Sequence, residues 1–193
     1  MRWWVFLIMA IIAVGLDTGL VGVFTLRGLG HATPSITACL LGFVALQARP
    51  RSALWAAFVI GLMLDLSPGS SGAAGGVPII GPRTLGSIAA AQVVLLLRPV
   101  VFRRRIITVA VIAGVAAACL GLGSASVETI RWWAPWTHAL APPPAGARLL
   151  TIAGSAVYTV LLGIPVGAIL LGTNRWWRFG AAPGRLDYAA SRR

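Results

Sequence analysis

Two aspartates, Asp17 and Asp65, lie inside long apolar runs of a sequence that holds only four acidic residues. A carboxylate in such surroundings costs several kcal/mol unless a cation, hydrogen-bond donors or water meets it, which makes both candidate site residues. Beside an arginine their chemistry would be an ion pair; beside further acids it would be metal binding or proton transfer. Two carboxylates alone are too few ligands for a hard divalent metal. The two histidines, His31 and His138, fall in the connections between apolar runs, and Cys39 and Cys119 have neither C-x-x-C spacing nor a nearby histidine. The thiols therefore read as small packing groups within helices. No metal site and no cofactor is expected.

Other catalytic patterns fail in the same way. Gly69-Ser70-Ser71-Gly72 is similar to the serine motif of rhomboid intramembrane proteases. A serine nucleophile needs a base within hydrogen-bond reach, and neither histidine lies in an apolar run. There is no G-x-x-x-x-G-K-[ST] phosphate loop for ATP. No acidic cluster could hold the metals of a membrane phosphotransferase. The expectation is a protein without catalytic apparatus.

The elements that must position these residues follow from composition. The chain has 193 residues, 58% of them hydrophobic and 10% charged, with a mean hydropathy of +0.88. Soluble domains are roughly 45–50% apolar and about 25% charged. The expected fold is an all-α integral membrane protein, a bundle of about six transmembrane helices over residues 1–172 with a basic cytoplasmic tail at 173–193. The apolar runs predict spans at about 3–24, 33–48, 52–66, 84–102, 106–125 and 149–171. The first run is too long for a signal-peptide core and lacks a clear cleavage site, so it is read as a retained helix. The second and third are short, joined by the bend Arg49-Pro50-Arg51, and read as two full spans or as a hairpin entering from one side. Glycine and proline between Ser67 and Pro82 exclude a regular helix there. The segment 126–148 reads as a surface-lying outer connection.

Charge sets the orientation. With six spans, twelve of the sixteen arginines fall on the side of Arg2 and four, Arg27, Arg83, Arg131 and Arg148, on the other. Basic residues near span ends favour the cytoplasm, so both termini are expected inside the cell, in the bacterial inner membrane. A net charge of +12 invites a nucleic-acid reading, but the arginines stand in short groups between apolar runs and not along one polar face, which excludes it. All eight tryptophans fall near predicted span ends, as interfacial belts require. The spacings Gly15/Gly19 and Gly163/Gly167 would allow close helix approach.

On a rising helix Asp17 stands about 22 Å above Arg2, and Asp65 about 21 Å above Arg51. Arg83 begins the fourth span at that depth. One reading is an ion-paired cluster of Asp17, Asp65 and Arg83 under the glycine-rich loop; the other lets each carboxylate snorkel to outer headgroup water.

The run Ala57 to Gly69 carries Gly61-Leu62-Met63-Leu64-Asp65-Leu66, which resembles the G-L-x-x-D-L segment of the MreD family of rod shape-determining proteins. There too it ends a middle span and leads into a glycine-rich stretch, here Gly72 to Gly86, then a helix and a basic turn, here Arg98 to Arg105. The likeness covers about Pro34 to Arg105. It implies a non-enzymatic membrane scaffold of the cell-elongation complex, with an MreC-like protein, MreB, RodA and a class B penicillin-binding protein as partners besides membrane lipids. The residues it singles out are Gly61, Asp65 and Gly69 as structural centre, with Arg103, Arg104 and Arg105 as the cytoplasmic contact. The long outer segment rich in proline and tryptophan, and the extra tail, depart from the pattern. A second reading is the substrate-binding subunit of an energy-coupling-factor vitamin transporter, which is similar in size and helix count. Under it Asp17, Arg83 and Trp132 would line a pocket.

Overall fold

The computed structural model describes residues 2–25, 32–67, 81–101, 105–133 and 145–177. Among these the chain is all-helical: α1 (Trp3–Phe24), α2 (Ile36–Gln47), α3 (Pro50–Leu66), α4 (Pro82–Leu97), α5 (Ile106–Trp132), α6 (Ala145–Gly172) and a single turn, α7 (Asn174–Trp177). The six expected apolar runs thus correspond to six helices of 12 to 28 residues. Of these α5 (over Ile106–Val127) and α6 are long and apolar enough to cross a membrane.

The ends of the helices follow local chemistry. Proline occupies the first turn of α3 and α4, where its missing N–H costs nothing and its φ is already helical. The expected surface segment from Ser126 onward is corrected in part. α5 continues to Trp132 because nothing between Ser126 and Trp132 breaks a helix, and α6 starts at Ala145, directly after Pro142-Pro143-Pro144. The rest of that segment, and the glycine-rich stretch from Pro68 to Ile80, lie outside the described residues.

α2 is the axis of the bundle. It packs against α1, α3, α4, α5 and α6, and every residue from Thr37 to Leu46 is buried. Around it the outer helices turn apolar side chains outward as well: Ile8, Ile11, Val157 and Leu161 are all more than half exposed. At one end Trp177 is fully buried against Phe43, ring centroids 5.5 Å apart, and its carbonyl accepts the Arg2 N–H at 3.1 Å. That corrects the belt reading for one tryptophan. Trp3, Trp4, Trp55, Trp133 and Trp176 are exposed as a belt requires, whereas Trp177 belongs to the core.

The two glycine pairs differ in use. Gly163 and Gly167 face α5, and a Cβ on Gly163 would come closer than 3.0 Å to the main chain of Ala110. A Cβ on Gly15 or Gly19 would meet nothing within 4 Å among the described residues. Gly163→Ala should therefore destabilise the bundle by about 1–3 kcal/mol through overpacking. Gly15→Ala should be neutral or gain up to about 1 kcal/mol from helix propensity. Melting midpoints of the two variants in mild detergent check this, and equal effects would show that the glycines are equivalent after all.

Candidate functional site

The two carboxylates, Asp65 buried and Asp17 half-buried, do the same job twice. Each rises on one helix of a hairpin and closes the start of the next. At the start of α2, Asp17 Oδ1 accepts the Ile36 N–H at 2.7 Å and Oδ2 accepts the Thr37 N–H at 2.9 Å. Ser35 is the N-cap, its Oγ accepting from the Ala38 N–H at 3.1 Å while donating to Asp17 Oδ2 at 3.0 Å. Thr159 Oγ1 of α6 takes the Ser35 N–H, and Ser155 Oγ takes the Thr33 N–H, both at 3.1 Å. Every N–H that a helix start leaves without an intrahelical partner is thereby satisfied.

At the start of α4 one side chain suffices. Asp65 accepts the N–H groups of Gly81 at 2.8 Å, Arg83 at 3.1 Å and Thr84 at 3.1 Å, together with the Thr84 hydroxyl at 2.6 Å. Pro82 has no N–H to satisfy, and the helix's own bonding begins with Leu85 N–H to the Gly81 carbonyl. Gly81 holds φ at +134°, a region closed to most side chains, which lets its N–H turn onto the carboxylate. The joint is reciprocal: the Arg83 guanidinium donates to the Leu64 carbonyl at the end of α3, at 3.2 Å. Each end group thus meets the pole of opposite sign.

Of the expected cluster of Asp17, Asp65 and Arg83, the last two do meet at one joint, and Asp17 lies apart from them at another. Arg83 reaches Asp65 through its main-chain N–H, and Asp17 belongs to another helix start. The reason is geometric. Each carboxylate meets the start of the helix that follows its own, and that start offers several N–H donors. The snorkelling alternative fails for Asp65, which is 1% exposed.

Gly61 stands one turn before Asp65, on the same face of α3. A Cβ there would come closer than 3.0 Å to Ser87 Oγ and Thr84 Cα, so the glycine is what lets α4 lie against α3. Ser87 Oγ bridges the helices through the Ala57 carbonyl at 2.7 Å and the Thr84 carbonyl at 2.8 Å. At the opposite end of the bundle Arg98 Nη1 donates to the Ala48 carbonyl at 2.6 Å, tying the end of α4 to the end of α2.

Of the other expected site residues, Gly69, Arg103 and Arg104 lie outside the described residues, and Arg105 is exposed just before α5. The side chain of Trp132 is not among those described, so only two of the three pocket residues of the transporter reading can be placed, and these serve different joints. Sequence reasoning missed Ser35, Thr84, Ser155, Thr159 and Arg98. Ser35 had a readable signal, a serine immediately before an apolar run. Ser155 and Thr159 also had one, four apart and hence on one face of an apolar helix. Among the described residues no group of three or more His, Cys, Asp or Glu could hold a metal ion. What the arrangement does chemically is electrostatic: it holds helix starts in place inside an apolar bundle. No protein-family model, no curated protein and no solved structure matches this chain.

Proposed function

We propose that the chain is a multi-pass protein of the bacterial cell membrane, with six spans and both termini in the cytoplasm, and that it acts as a non-enzymatic scaffold of the cell-elongation complex. Membrane residence is supported by the apolar exterior. Among the described residues α1 and α6 are apolar on faces that no other helix covers, which is stable in lipid and not in water. It is also supported by the start of α2. Non-helical backbone is tolerated at membrane depth only where protein satisfies it, and the N–H groups of Thr33, Ser35, Ile36 and Thr37 are satisfied by Ser155, Thr159 and Asp17. The expected arginine bias gives the orientation.

The observation that carries the scaffold reading is the joint use of Gly61 and Asp65. The G-L-x-x-D-L segment, through which the sequence resembles the MreD family, supplies the close approach and the helix cap of one hairpin. A motif with that role builds a rigid surface for other spans. MreC-like protein, MreB, RodA and a class B penicillin-binding protein are the partners this reading names, with Arg103 to Arg105 on the cytoplasmic side.

Affinity purification of the full chain from membranes in mild detergent, with mass spectrometry of what is retained, tests it. The expected result is recovery of MreC-like and penicillin-binding proteins. Recovery of paired ATPases with a large membrane coupling subunit would replace the scaffold by the transporter.

A further inference from the structure

A groove runs along the outside of α3, open toward the surroundings of the bundle and about 370 Å³ in volume. Arg51, Leu54, Trp55 and Phe58 line one wall, and Ile88 of α4 closes the other. The first four are spaced i, i+3, i+4 and i+7, so they form a single stripe about 10 Å long. At one end stands an exposed arginine with a second, Arg49, two residues before it, also exposed. The rest of the lining is aliphatic and aromatic. Trp55 and Phe58 meet edge to face at 6.0 Å and remain 62% and 39% exposed.

We infer that this groove is a binding site for an anionic diacyl phospholipid, its phosphate held by Arg51 at the mouth and one acyl chain laid along Trp55, Phe58 and Ile88. The inference rests on the membrane reading above. Charge selects the occupant. Basic pockets between helices at the cytoplasmic side favour anionic headgroups, and the predicted orientation places Arg49 and Arg51 on that side. Shape agrees with it: the volume lies within the roughly 300–1,000 Å³ of small-ligand pockets, and a flexible hydrocarbon chain suits an open, elongated, apolar trough. Trp55 stands one turn deeper than Arg51, where an amphipathic ring sits at headgroup level.

Native mass spectrometry of the full chain, released from mild detergent after titration with phosphatidylglycerol or with phosphatidylcholine of the same acyl chains, reads the site directly. Phosphatidylglycerol should be retained and phosphatidylcholine should not. Arg51→Gln should weaken retention about fivefold. Ile88→Trp, which fills the trough and leaves every charge in place, should weaken it at least as much. Arg2→Gln removes the same charge from another exposed arginine and should leave it unchanged. Equal retention of the two lipids, or retention that survives both groove variants, overturns the inference. So does a photo-reactive residue at Ile88 that crosslinks to protein in membranes and not to lipid, because the trough would then hold a partner's helix. Alkaline extraction separates this failure from that of the membrane reading. A chain that leaves the membrane fraction at high pH sinks both, whereas one that stays and ignores headgroup charge sinks only the groove.

Discussion

Asp65→Ala lowers the stability of the folded bundle by about 4 kcal/mol, the sum expected when several buried donors lose their acceptor together. Three main-chain N–H groups and the Thr84 hydroxyl point at one carboxylate, and the Asp65 side chain is almost wholly buried. Burial keeps bulk solvent from replacing it, so the loss exceeds the roughly 1 kcal/mol of a surface N-cap. Asp65→Asn keeps one acceptor oxygen but turns an NH₂ group toward the remaining donors, and should fall between the two. Arg83→Ala is milder, about 1.5 kcal/mol, because it removes only the bond to the Leu64 carbonyl and leaves the main-chain donor in place. Exchanging the two charges, Asp65→Arg with Arg83→Asp, should restore nothing. Unfolding midpoints of the purified full chain in detergent, read beside its abundance in membranes, check the series. A rescue by charge exchange would mean that a guanidinium–carboxylate pair, and not a helix cap, holds the joint.

This series separates two explanations of a buried charge. From the sequence, an aspartate inside an apolar run signals function, because its burial is costly. Here the cost is offset locally. A helix start presents N–H donors and a partial positive charge, so a carboxylate placed there serves the backbone as much as the backbone serves it. The same solution appears at Asp17 and Asp65. The alternation of α1 with α2 and α3 with α4 therefore reads as two hairpins, each locked by a carboxylate from its first helix.

How far the sequence disclosed this can be followed residue by residue. The bounds of α1 were readable to the residue, since apolarity and helix end together there. α5 is longer than the apolar run because hydropathy falls at Ser126 while helical bonding persists to Trp132. Helical rise predicts that both carboxylates lie far from Arg2 and Arg51, and both do stand at the end of the bundle opposite Arg2 and the Arg98–Ala48 contact. Their partners were not. Asp17 meets Ser35 and Asp65 meets Thr84 across 18 and 19 residues of chain, a separation at which no local periodicity operates. The burial of Trp177 was hidden for the same reason: a tryptophan near a span end fits a belt equally well until Phe43 is known to stand behind it.

The other large effect belongs to Gly61, and it is steric. A single methyl group at this position would meet both Ser87 Oγ and the main chain of Thr84. If the side chain were the only obstacle, Ser87→Ala would make room. The Thr84 Cα cannot move without carrying the start of α4 away from Asp65, so two interactions that look independent are coupled through one backbone segment. Gly61→Ala should therefore destabilise by about 3 kcal/mol, at the upper end of ordinary overpacking. Gly61→Leu should abolish accumulation of the folded chain. Adding Ser87→Ala to Gly61→Ala should recover less than half of the loss, since it also removes the bond to the Ala57 carbonyl. Combining Gly61→Ala with Asp65→Ala should cost less than the two single losses together, because once the cap is absent α4 is free to shift. A double-mutant cycle measured by unfolding midpoints gives that coupling. Strict additivity would show that the α3–α4 contact and the α4 cap are separate features, and the G-L-x-x-D-L spacing would then lose its structural explanation.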